Sequence, residues 1–292
     1  LDISVKLPHI FLLIAVVAVW GINFVFIKIG LRELPPIFLC FCRFFLVGLP
    51  VLFFKRPAVP FRWVITYSLV MFVLQFTLMF SALHVGISAG LASIILQTQA
   101  FFSLLFAALF LKEKLNLSQI LGSLVSFLGI ALVGFNLGAS VTLPGLLLVL
   151  GAAATWGGGS VIVKRMGKTS AASLLVWSSL LAWPPLLLIS LFFEQSAPLL
   201  FYQWTSPTYL AIAFITIFST VFAFGTWNWL LQLYPVSTVA PFTLLVPIFG
   251  MLGSILFLGE NLEGWKIFSA LLVISGLCIN LLGPRLKSRE TA

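Results

Sequence analysis

The chain has 292 residues, of which 61% are hydrophobic and 8% charged, a balance that excludes a soluble globular domain. Its formal net charge of +9 does not mark a nucleic-acid binder, because the Lys and Arg residues stand in short clusters between apolar runs, where they set membrane orientation. A helix needs about 20 apolar residues to cross a hydrocarbon core, so the spans consume the chain and leave no room for a soluble catalytic domain.

Pro, Gly and charged residues divide the chain into apolar runs near 10–31, 36–54, 63–84, 89–111 and 118–136, then 144–165, 171–193, 208–231, 237–258 and 264–283. Inside a bilayer the backbone must satisfy its own hydrogen bonds, so ten transmembrane helices are predicted. The first run is followed by further spans and lacks a small-residue cleavage site, which predicts a retained helix and not a signal peptide. Cys40, Cys42 and Cys278 lie in apolar stretches without metal or redox spacing, so they read as packing residues, with no metal and no cofactor expected.

Basic residues alternate strongly across this ten-span layout. The side holding both termini carries Lys6, Lys55, Arg56, Arg62, Lys112, Lys114, Lys164, Arg165, Lys168, Arg285, Lys287 and Arg289, whereas the other carries Lys28, Arg32 and Lys266. Cytoplasmic loops retain Lys and Arg, so both termini are expected in the cytoplasm. The halves also echo each other. Trp20-Gly21 followed by Lys28 matches Trp156-Gly157 followed by Lys164, and Leu111-Lys112-Glu113 matches Leu258-Gly259-Glu260. Gly129 pairs with Gly276 and Pro50 with Pro184 in the same way. Two repeats, 10–136 and 144–283, are therefore expected, and five spans apiece force the second to enter from the opposite side. Such inverted repeats are a common construction of secondary transporters.

The centre of a core about 30 Å thick lies about ten residues from either end of a span. Trp20, Gln97, Gln99 and Pro247 fall near that depth, and Gln75, Trp156 and Thr220 lie within about a turn of it. Trp20 and Trp156 are too deep for an interfacial belt and read either as cavity walls that stack on a substrate ammonium or as packing. Gln97 and Gln99, two residues apart, point to different faces, so at most one is expected in a cavity; the alternative is a bond between helices. Asn23 and Ser160, each one turn beyond a tryptophan, are candidates for bonding substrate or for joining helices. Gly157, Pro241 and Pro247 weaken or free backbone hydrogen bonds, either to break a helix at a gate or to kink and pack it. Arg43, about 10 Å inside the membrane by helical rise, reads as substrate-binding or as snorkelling to the interface. The seven acidic residues all fall at termini or span edges, which leaves no embedded carboxylate for a proton relay.

Trp20-Gly21-Ile22-Asn23-Phe24, Gly90-Leu91-Ala92-Ser93, Gln97-Thr98-Gln99-Ala100-Phe101-Phe102, Val176-Trp177-Ser178, Val239-Ala240-Pro241 and Leu244-Leu245-Val246-Pro247 resemble the EamA family of the drug/metabolite transporter superfamily, over nearly the whole chain. The nearest type is the O-acetylserine/cysteine exporter. One departure is Gly157-Gly158-Gly159-Ser160, which puts a small hydroxyl where a larger polar side chain is expected. The resemblance implies ten helices in two EamA repeats and export of small amino acids or related metabolites. It also implies a bacterial cytoplasmic (inner) membrane, with a small-molecule substrate and the lipid bilayer as partners and a monomer or weak homodimer as assembly. A carrier of nucleotide sugars or other phosphorylated metabolites, also found in the superfamily, would want more than one embedded basic group. An intramembrane enzyme is disfavoured by the lack of H-E-x-x-H, Gly-x-Ser-x-Gly or an embedded Asp pair.

Overall fold

A computed structural model describes residues 6–113, 115, 117–138, 141–194, 204–234 and 239–290. Asp2 and Lys114 lie outside these residues, as do the side chains of Pro241 and of residues 281–290. The described chain is helical throughout apart from short turns and isolated bridges. Eight helices are long and apolar enough to cross a membrane: α1 Leu7–Gly30, α2 Pro36–Phe53, α3 Phe61–His84, α4 Ala89–Leu111, α5 Leu117–Phe135, α6 Leu143–Met166, α7 Ala171–Phe193 and α8 Ser206–Leu231. Two more, α9 Ala240–Leu258 and α10 Gly264–Glu290, have shorter apolar segments, Phe242–Leu258 and Gly264–Asn280.

Local chemistry sets the ends. Pro residues open α1 and α6 in the first turn, where no N–H is needed. The Ser88, Thr142 and Ser170 hydroxyls accept from the backbone N–H three residues on and cap α4, α6 and α7. Lys112 and Gly259, both in the left-handed region, stop α4 and α9.

Five helices change pitch internally, α2 by a 3-10 turn at Leu49–Phe53 around Pro50. α3 is π-helical over Ser68–Leu74 and α8 over Phe214–Phe222, while α4 tightens to a 3-10 turn at Leu96–Thr98 and α9 begins with one at Ala240–Leu245. Pitch changes of this kind leave carbonyls outside the regular ladder, where side chains of other helices can reach them.

Small residues bring the helices together. In the α5–α10 pair, Gly122 lies against Gly276 and Gly129 against Ser269, so the two helices run antiparallel. The Ser269 hydroxyl donates to the Gly129 carbonyl at 2.8 Å and Ser126 to the Val273 carbonyl at 3.0 Å. α2 pairs with α7, α1 with α8 and α9, and α6 with α3 and α4. Between α4 and α9 the contact is also antiparallel, running from Gly90 against Ser254 to Gln97 against Thr243. Among the described residues the contact weakens beyond that point, and the Ala240–Leu245 turn packs on α1 and α10.

Burial follows the same asymmetry. Residues Ala89–Ile95 of α4 are all buried, whereas from Gln99 to Leu111 only Phe101 is. The end of the bundle holding Glu260 is therefore tightly packed, and the end holding Glu113 is splayed.

Candidate functional site

The polar residues at mid-depth gather where α1, α2 and α3 meet the π-helical stretch of α8. Trp20 on α1 donates its indole N–H to the Ser219 carbonyl at 3.2 Å. Arg43 on α2 donates Nε–H to the Thr220 hydroxyl at 2.8 Å, and Thr220 in turn donates to the Ile215 carbonyl at 2.7 Å. The wide turn of α8 thus presents a backbone acceptor and a hydroxyl side by side to two other helices.

Arg43 is 1% exposed, with its guanidinium carbon 4.4 Å from the centre of the Phe76 ring and 5.6 Å from that of Phe44. It does not snorkel to an interface. The ion pairs among the described residues are Lys164–Glu113 and Lys266–Glu263, so Arg43 is a buried cation with no carboxylate beside it. Its Nη1 has no protein partner. Asn23 Oδ1 on α1, Gln75 Oε1 on α3, Gln99 Oε1 on α4 and Thr216 Oγ1 on α8 are likewise buried without one. Native proteins rarely leave such atoms unpaired, and a desolvated guanidinium with a free nitrogen matches a polar ligand better than it matches packing.

An aromatic wall adjoins this cluster. Phe224 on α8 lies 5.4 Å from the ring of Trp20 and 6.5 Å from that of Trp156, and Trp227 lies 5.2 Å from Trp20. Through Phe224 the two tryptophans, one from each half of the sequence, join one site.

Other sequence candidates sit elsewhere. Gln97 is buried in the α4–α9 contact, donating to the Thr243 carbonyl at 3.0 Å, where it ties helices together. Ser160 is exposed on α6; its hydroxyl donates to the Trp156 carbonyl at 3.1 Å and lies 3.4 Å from that of Ser103. It is not part of the Arg43 cluster. Gly157 does not break its helix, since α6 runs unbroken from Leu143 to Met166. A β-carbon there would come within 2.7 Å of the Phe102 carbonyl carbon, so this glycine lets α4 approach. Pro241 falls in the first turn of the 3-10 stretch, and Pro247, buried, in the first turn of the α-helix that follows it. Both lie where the α9 backbone changes pitch.

Sequence reasoning missed Ser219, Phe224, Trp227 and Thr216. The aromatic run Phe224-Gly225-Thr226-Trp227-Asn228-Trp229 was visible, but its facing side was not. It also missed three carboxylates at the Glu260 end that bind helix N-termini, where backbone N–H groups favour an anion. Glu33 accepts from Thr205 N–H at 3.0 Å, Glu194 from Ile37 N–H at 2.7 Å and Glu260 from Ala89 N–H at 2.8 Å. The Thr205 and Thr208 hydroxyls, together with that N–H, hold the Glu33 carboxyl below the ordinary carboxylate range.

The arrangement has known relatives. The model of the EamA-like transporter family matches twice, at residues 7–135 and 143–282. A probable amino-acid metabolite efflux pump of Salmonella typhimurium is 37% identical, covering 95% of this chain and 96% of its own. The Escherichia coli protein of the same description is 36% identical, over 94% and 95%. A protein of known crystal structure shares the fold with a TM-score of 0.67, at 18% identity, over 97% of this chain and 99% of that one. With both matches of the family model spanning nearly the whole chain, this protein belongs to the EamA-like transporter family.

Proposed function

We propose that this transporter exports small amino acids or related metabolites, of the cysteine and O-acetylserine kind, across a bacterial inner membrane by alternating access. The observation that carries the substrate class is Arg43, a buried guanidinium without a carboxylate partner and with one nitrogen free of protein bonds. Its planar fork suits a substrate carboxylate. The rings of Trp20 and Trp156 are placed to receive the ammonium. A single embedded arginine does not favour a phosphorylated metabolite. The names of the Salmonella and Escherichia relatives agree with an amino-acid-like substrate.

Two oppositely inserted halves, 10–136 and 144–283, are the supporting architecture, with both termini cytoplasmic and the chain working as a monomer or weak homodimer. The pairing of α1 with α8 and α9 has its counterpart in that of α6 with α3 and α4, when each helix is exchanged for the one five places along. Several irregularities follow the same exchange, π-turns in α3 and α8, 3-10 turns in α4 and α9 and left-handed stops at Lys112 and Gly259, whereas the 3-10 turn that ends α2 has no counterpart in α7. The antiparallel packing of α5 on α10 supports a relating axis across the helices, in the plane of the membrane.

Purified protein in liposomes tests this reading. Labelled cysteine and O-acetylserine should cross faster than in empty vesicles, and excess neutral amino acid should compete better than phosphate esters. Uptake no faster than in empty vesicles for every amino acid tried overturns the substrate class.

A further inference from the structure

The Glu260 end of the bundle holds a cleft of about 320 Å³ lined by Lys28, Arg32, His84 and Glu260 over an apolar floor that includes Leu31. That volume falls at the lower end of the roughly 300–1,000 Å³ typical of small-molecule sites. Backbone groups hold its polar side chains in place. Lys28, partly buried near the end of α1, donates to the Leu83 carbonyl at 3.2 Å and the Ile87 carbonyl at 2.8 Å, which leaves the last of its ammonium protons for the cleft. Glu260, just past α9, accepts from Ala89 N–H at 2.8 Å with one oxygen and from Gly90 N–H at 3.3 Å with the other. A carboxylate has about four acceptor positions, so about two remain open to a further donor. Arg32, in the turn after α1, and His84, the last residue of α3, are exposed. Among the described residues neither Lys28 nor Arg32 is in an ion pair.

We propose that this cleft is a second substrate site of the carrier, an exit subsite that receives the zwitterionic head of an exported amino acid. Lys28 and Arg32 take its carboxylate, and Glu260 takes its ammonium. The inference rests on the reading above of an amino-acid exporter. The cleft sets two cations against one carboxylate, so an anion is drawn in and a lone cation is not. A small molecule that carries both charges satisfies both walls at once. Lys28 and Glu260 are each bonded to the segment that joins α3 to α4, so donor and acceptor are positioned before substrate arrives, which lowers the ordering cost of binding. Lys28 lies eight residues beyond Trp20 on α1, about 12 Å along the helix, so the cleft is separate from the central site yet built on the same element. Weak occupancy suits a place of release. Arg32 is exposed, and water screens its attraction for a carboxylate.

The test reads protection of the cleft. Leu31 is replaced by cysteine in a chain with Cys40, Cys42 and Cys278 changed to alanine, and alkylation by the neutral reagent N-ethylmaleimide is followed in detergent at fixed ionic strength. O-acetylserine should slow alkylation saturably. N-acetylserine, which lacks the ammonium, and serine methyl ester, which lacks the carboxylate, should each need about tenfold more for half protection, the loss of one hydrogen bond to a charged group. Arg32→Gln should raise the half-protecting concentration of O-acetylserine by a similar factor, whereas Arg43→Met should leave it unchanged. Where Leu31→Cys folds poorly, His84→Cys at the rim serves as the reporter with Lys28, Arg32 and Glu260 intact. Protection that is insensitive to Arg32→Gln, or lost in Arg43→Met, overturns the cleft site. The phosphatidylethanolamine headgroup carries the same pair of charges. Alkylation that is already slow in nanodiscs of that lipid, and indifferent to O-acetylserine there, gives the cleft to lipid and overturns the exit role. No protection in a chain that still carries O-acetylserine into liposomes overturns the cleft and leaves the carrier intact. Neither protection nor transport overturns both.

Discussion

A guanidinium at depth in a bilayer costs about 2.5–3.5 kcal/mol on insertion scales, and a single hydroxyl and two ring faces offset only part of that for Arg43. Substrate would complete its coordination, so function and stability should separate here. Arg43→Met is expected to lower apparent affinity for amino acids about 10- to 100-fold, the value of a hydrogen bond to a charged group, while leaving the thermal midpoint unchanged or raised. Transport assays beside thermal unfolding in detergent check this, and a midpoint that falls in step with transport would make the residue structural. Trp20→Phe keeps the ring beside Phe224 but removes the bond to Ser219, so it should lower transport less than Trp20→Ala, at equal folded yield. The two variants reaching the same rate would shift the role from the ring to the indole N–H. Glu33 gives the pH dependence. Its carboxyl is held below the ordinary range, so its contribution to stability is present above the unfolded carboxylate pKa and is lost as pH falls through the lowered folded value. The difference in thermal midpoint between the parent and Glu33→Gln should therefore be open at neutral pH and close as pH falls through that lowered folded value. A difference that does not shrink on acidification would place the effect in packing.

Among the elements, the α5–α10 pair offers the least slack. A β-carbon at Gly122 would sit 2.5 Å from the Gly276 carbonyl oxygen, an atom that cannot rotate away. Gly122→Leu should cost about 1–3 kcal/mol, whereas Gly138, with nothing close to its missing β-carbon, should accept alanine without loss. Thermal midpoints in detergent compare the two, and equal midpoints would mean that α10 moves aside. Sequence made the helices legible because the bilayer demands long apolar runs, and it made the pairing of Trp20 with Trp156 and of Glu113 with Glu260 legible because the repeat preserves their spacing. The π-helical stretches were not legible: they are small departures from helical register, and the benefit of the one in α8 lies in bonds to Trp20 and Arg43, far away in the chain. Helix rotation was equally hidden, which is why Ser160 turns out exposed and Gln97 bonded to α9. The carboxylate caps were hidden too, since Glu33, Glu194 and Glu260 each reach a helix start more than 150 residues away.

For the molecule as a whole, the decisive quantity is the side of the membrane on which each end of the bundle lies. Lys and Arg crowd the face that holds Arg56, Arg62, Arg165 and Lys168, and charged loops of that kind stay in the cytoplasm because moving them across opposes the membrane potential. On the proposed orientation the packed Glu260 end would face outward and the splayed Glu113 end the cytoplasm, the side from which an exporter takes its substrate. Single cysteines at Arg32, in the α1–α2 turn, and at Lys168, in the α6–α7 turn, separate the two faces by chemistry alone. A membrane-impermeant maleimide should label Arg32→Cys in intact cells and Lys168→Cys only after the membrane is opened. Fusing a cytoplasm-active reporter at either terminus should give activity in both cases. The two turns follow equivalent helices, α1 and α6, so labelling both from one side would place the halves in parallel. The axis would then run along the membrane normal, and rocking of inverted halves about Arg43 and Thr220 would lose its basis.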